Sequence, residues 1–119
     1  MTIFHTADDL IAAARAGAID AVNTVAERTR ATAIPMTPIS QGGGDLRSSL
    51  AVVPARDSEP DIESAVVSDL PYAVRQHEEL GYRHPNGGQA KFLELASLQV
   101  ATHEGERIAG TIVRRHLER

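Results

Sequence analysis

Residues Thr6 to Arg30 carry the pattern of one long helix, and the smallness of its apolar stripe limits what can pack against it. Thr6 stands at the N-cap with Asp9 three positions on, in a capping-box arrangement. Asp8 and Asp9 suit the positive end of the helix dipole. Ile11, Ala14, Ala18, Val22 and Val25 fall on one face at helical spacing, with Arg15, Asp20, Glu27 and Arg30 elsewhere. Such a narrow stripe lets a sheet or a second helix approach closely. Ile3 and Phe4 precede the cap, either as a staple on the helix start or as a short arm for a neighbour. Pro35 and Pro38 end the helix within Ile34–Pro38, because proline removes a donor and holds the preceding residue extended.

A chain of 119 residues is expected to form one domain. Hydrophobic residues make up 42% but aromatics only 3%, so the core should be thin. A thin core in a small domain leans on partner subunits. The net charge of -4 and the lack of a basic run argue against tight nucleic-acid binding. Without cysteine there is neither a disulfide nor a thiolate metal site. The sequence shows no signal-peptide pattern, no run of about 18 apolar residues to span a membrane, and no solenoid repeat.

Downstream of the helix, Ile39 to Asp45 reads as a flexible loop holding Gly42, Gly43 and Gly44. Its spacing fits neither G-x-x-x-x-G-K-S/T nor G-x-G-x-x-G, and no lysine follows, so it is no phosphate cradle. Leu46–Ala55 and Ile62–Asp69 each contain an Ala-Val-Val run and read as two antiparallel strands joined by the polar Arg56–Asp61 link. Pro54 then lies at an edge or a strand end, and Leu70-Pro71 closes the second strand. Tyr72 to Leu80 reads as a short helix with Ala73, His77 and Leu80 on one face and Gly81 just past its end. Tyr82–Gly88 is a loop with a Pro-Asn-Gly turn, and Gln89–Phe92 a short extended piece. A final helix is expected over Phe92–Leu117, with Leu93, Ala96, Val100 or Ala101, Gly105, Ile108 and Ile112 on its face. Gly105 costs about 1 kcal/mol against alanine and places a kink or break near Thr102–Glu106. Arg114, Arg115 and His116 suit the negative end of that helix. The class expected is α+β: a long N-terminal helix, a small antiparallel sheet, a short helix and loop, and a long C-terminal helix packed on the sheet.

Tyr72–Ala96 gathers both tyrosines, one of the two phenylalanines and two of the five histidines. His77-Glu78 with His84 suggests a metal set for a small metal-dependent hydrolase. The second histidine of H-E-x-x-H, which would share the helix face one turn on, is missing. Ser48 and Ser49 lack an elbow such as G-x-S-x-G and read as strand or turn serines. Glu78/Glu79 and Asp8/Asp9 are adjacent pairs, which diverge by about 100° on a helix and make poor acid–base couples. The residue pattern therefore favours contact residues over catalysts, with an adaptor module that binds one partner through Tyr72–Phe92 as a further alternative.

Two pieces resemble a known family. Thr37-Pro38-Ile39 followed by Leu46-Arg47-Ser48-Ser49-Leu50 is similar to a P-V/I-x-x-G-x-L-R-x-S pattern. Tyr72-Ala73, then Glu79-Leu80-Gly81, then Lys91-Phe92-Leu93 and Ala96 is similar to a Y-A-x-x-x-E-x-G … P-F-L-x-x-A pattern. In that order and spacing, over residues 37 to 96, they resemble the small head–tail joining proteins of long-tailed bacteriophages, the neck, tail-completion or minor capsid proteins. Lys91 stands where that pattern has proline, the glycine of the first motif is a run of three, and Glu79-Leu80-Gly81 lies further from Tyr72-Ala73 than the pattern has it. The resemblance implies an α+β subunit without catalysis or cofactor, in a homo-oligomeric ring, commonly a hexamer. Such a ring lies between the portal or adaptor and the tail tube, in the virion neck, after assembly in the host cytoplasm. DNA passes through its lumen without specific binding, and no membrane is involved. Under this reading Tyr72, Phe92 and Leu93 anchor the core, and Gly42–Gly44 form a docking loop. His77, Glu78, Tyr82, Arg83, His84, Asn86 and Gln89 meet neighbouring subunits or rings.

Overall fold

The computed structural model describes residues 6–38, 45–68 and 92–118, without the side chain of Asp45. Helix α1 spans Ala7–Met36, 30 residues and about 45 Å. The Thr6 hydroxyl accepts a 3.0 Å hydrogen bond from the Asp9 backbone N–H, which starts the helix as the capping residues predict. The helix runs past Arg30 because nothing in Ala31–Ile34 breaks it. Pro35 falls inside its last turn, so the helix runs past the first proline and stops before the second. Thr37 ends it with extended backbone, as the residue before a proline should. The Thr37 hydroxyl donates to the Ala33 carbonyl at 2.7 Å, so this wholly buried polar side chain is satisfied.

Helix α2 spans Asp45–Ser49, strand β1 Ala51–Val53 and strand β2 Ala65–Val67. The strands pair antiparallel, with Ala51 opposite Val67, Val52 opposite Val66 and Val53 opposite Ala65. Both are shorter than the sequence suggests. Leu46–Ser49 coils into a helical turn, where the Ser49 hydroxyl donates to the Leu46 carbonyl at 2.7 Å, so Ser48 and Ser49 are helical rather than strand or turn residues. At the other end α1 takes over the backbone bonds that a longer ladder would use. The Asn23 amide donates to the Ala55 carbonyl at 3.2 Å, and its oxygen accepts from the Ala55 N–H at 2.7 Å. The Ser64 hydroxyl donates to the Val22 carbonyl at 3.0 Å.

Helix α3 spans Phe92–Val100, a π-helical segment covers Ala101–Gly105, and helix α4 spans Glu106–Leu117. The π segment falls where Gly105 predicted a break. One correction concerns packing: the C-terminal helices have α1, not the sheet, as their main partner, and the sheet also packs on α1. A second concerns the α1 stripe. Its buried residues are Gly17, Ala21, Ala26 and Ala33, with Val22 and Val25 half-buried, whereas Ile11 is 63% exposed and Ala14 is exposed. The helices meet along the smallest side chains. A Cβ added at Gly17 would lie 3.1 Å from the Cβ of His116 and 3.3 Å from the Cα of Val113. Ile11 belongs to turns of α1 that reach beyond the end of α4.

The core sits where α1 ends and α3 begins. Ala33, Leu46, Leu50, Phe92 and Ala96 form it, with Ile34, Met36 and Leu93 packed against it. Phe92, 1% exposed, is the largest of its fully buried side chains. Among the described residues, no helix is long and apolar enough to cross a membrane.

Candidate functional site

Two layers that share α1 leave an open groove between them. The sheet covers one side of α1, and α3 with α4 covers another. The space between has a volume of about 870 Å³, and its apolar walls include Val22 and Val25 of α1, Ile62 and Val66 of the sheet layer, and Phe92 and Leu93 of α3. Ser64, Ser68, Glu94 and Ser97 add polar groups to the lining. Apolar walls with a few polar groups suit the burial of an apolar side chain or ligand.

Polar ties hold the layers to α1. The guanidinium of Arg28 grips Glu104 of the π segment, Nε to Oε2 at 2.7 Å and Nη2 to Oε1 at 2.6 Å. This fork-to-carboxylate geometry is the most directional ion pair available to side chains. It raises the Arg28 pKa and holds the Glu104 carboxyl below its ordinary value, chiefly through the side-chain hydrogen bonding. Nearer the other end of α1, the imidazole Nε2 of His116 lies 3.0 Å from Oδ2 of Asp20. On the sheet side, Arg15 gathers the link between the strands. It donates to the Asp57 carboxylate at 3.1 Å and to the carbonyls of Asp57, Glu59 and Pro60.

Of the residues singled out from sequence, Phe92 is buried in the core and Leu93 is half-buried beside it, each also facing the groove. Gly42, Gly43, Gly44, Tyr72, His77, Glu78, Tyr82, Arg83, His84, Asn86 and Gln89 lie outside the described residues, as does the hydrolase set of His77, Glu78 and His84. Among the described residues, no group of three His, Asp or Glu side chains is arranged to hold a metal ion. Sequence reasoning missed Arg28, Glu104, Arg15 and Asn23. Arg28 and Glu104 are 76 residues apart, and no local spacing rule links them.

Comparison of the chain with known protein families, with curated proteins and with solved structures found no match.

Proposed function

We propose that the chain is a structural subunit of the neck of a tailed bacteriophage. It joins head to tail as part of a ring between the portal or adaptor and the tail tube, and is of the tail-completion or tail-terminator type. One observation carries this reading: residues of both family-like motifs, far apart in sequence, meet in one core. Leu46 and Leu50 of the first motif pack with Phe92 and Ala96 of the second, and Leu93 lies against them. Arg47 of the first motif donates to the Thr37 carbonyl at 2.7 Å and to the Pro35 carbonyl at 3.1 Å, which closes that motif on itself. Motif residues that build a core rather than a catalytic cleft support a scaffold role.

The chain acts without catalysis or cofactor. Its partners are copies of itself, the adjoining neck proteins and the tail tube protein, with DNA passing unheld through the lumen. The acidic balance of the chain suits a lumen that must not grip phosphates. Electron microscopy of intact particles, with an antibody or a fused tag on this chain, tests the reading. Density at the head–tail junction is expected, and absence of the chain from that junction overturns it.

A further inference from the structure

The groove borders the outer edge of strand β2. Glu63, Ser64, Ala65, Val66 and Ser68 line it and no residue of β1 does, so it lies on the side of β2 away from its partner. Side chains of a strand alternate between its two faces. A groove under one face would be lined by every second residue. Here both sets, Glu63 with Ala65 and Ser64 with Val66, meet the same space. The groove therefore meets β2 edge-on, where every second residue turns its N–H and C=O away from β1. Among the described residues, β2 pairs with β1 alone. The Ser64 hydroxyl, bonded to the Val22 carbonyl at 3.0 Å, ties this edge to the α1 floor. Leu93 and Ser97 of α3 stand on the facing wall.

We infer that the groove takes an extended segment of a partner protein, which adds a third strand to the sheet along β2. The backbone of the segment bonds the β2 edge, and its alternate apolar side chains turn down onto Val22 and Val25 of α1. A helix in the same place would leave the edge groups of β2 without partners, because its own N–H and C=O groups are already bonded. A second folded copy of the chain does not fit either. Its own β2 edge is recessed in the same way between α1 and α3, and two recessed edges cannot meet.

Charge narrows the partner further. Glu63 and Glu94 are the charged residues of the described lining, and both are acidic. Complementarity then calls for lysine or arginine beside the apolar residues of the segment. The occupant is a basic, β-branched strand that alternates apolar and polar positions. Because β2 is already tied to α1, the edge is ordered before the segment arrives, and the partner alone loses chain entropy on binding. Strand addition rests on the groove and not on the neck reading.

Titration calorimetry of the full chain with a capped peptide, Lys-Val-Thr-Val-Thr-Val-Lys, tests it. Saturable one-to-one binding is expected. Methylating one alternate set of the peptide's backbone nitrogens should weaken binding at least tenfold, and methylating the other set should change it little, since only one set faces β2. Ser97→Trp, at an exposed position on the facing wall, should block the peptide while leaving the circular dichroism of the chain unchanged. Glu63→Lys, also exposed, should reverse the preference toward a peptide with glutamate at both ends. Absence of binding overturns strand addition. So does an equal response to the two methylation patterns, which needs no protein variant, or a peptide that binds the folded Ser97→Trp chain as it binds the wild type.

Discussion

Arg28 and Glu104 are joined by two hydrogen bonds of 2.7 and 2.6 Å, and they fix the height at which the π segment sits on α1. A π turn takes in an extra residue and re-aims the side chains around it. Here it coincides with the carboxylate that α1 holds. The Glu104 carboxyl lies below its ordinary value of 4.5 in the folded state, because the bonding to Arg28 favours its ionised form. A carboxyl lowered on folding adds stability that is complete above the unfolded value and lost as pH falls through the folded one. Thermal unfolding of the wild type and of Glu104→Gln should therefore differ at neutral pH, with the wild type higher. The two curves should converge as pH drops below about 4.5. A gap that persists at low pH contradicts the assignment.

Gly17 and Gly110 should respond to alanine with opposite signs. Both lie inside helices, where alanine gains up to about 1 kcal/mol over glycine. Nothing lies within 4 Å of a Cβ added at Gly110, so Gly110→Ala should stabilise by about 0.5–1 kcal/mol. At Gly17 the new methyl meets the Cβ of His116 and the backbone of Val113, and an overpacked contact costs about 1–3 kcal/mol. Denaturant midpoints of the two variants, measured against the wild type, give both signs directly.

Those two glycines also mark how far the sequence can be read. The Thr6 cap, the two Ala-Val-Val strands and the break at Gly105 are all local, set by residues within a few positions of one another. They were legible for that reason. The burial of Gly17, Ala21, Ala26 and Ala33 was not, because small residues give little hydrophobic contrast around a helix. Which face is used depends on where α4 can come closest, and no periodicity encodes that. The same holds for Arg28, Arg15 and Asn23, whose partners lie 32 to 76 residues away. The contact residues expected on the neck reading, from His77 to Gln89, all lie outside the described residues.

Asn23 replaces a strand neighbour for Ala55, supplying both a donor and an acceptor to its backbone. Ala55 is buried, so Asn23→Ala strips two polar groups of their partners in a place water reaches poorly. Leaving such groups unpaired costs about 1–3 kcal/mol. Asn23→Asp keeps the acceptor for the Ala55 N–H but loses the donor to its carbonyl. It should fall between wild type and alanine when the three are compared by denaturant unfolding.

Phe92 is the largest fully buried side chain among the described residues; it begins α3 and fills the cluster that joins Ala33 of α1 to Leu46 and Leu50. Replacing a buried phenylalanine with alanine costs about 3–5 kcal/mol. Domains of this size hold only about 5–15 kcal/mol in all. Phe92→Ala should therefore lower the thermal midpoint by ten degrees or more, at about 4–8 °C per kcal/mol for a domain near this length. Phe92→Leu, which keeps most of the apolar volume, should lose far less. Circular dichroism melts of both variants distinguish a true core anchor from a groove-lining residue: if Phe92 served only the groove, alanine and leucine would melt alike.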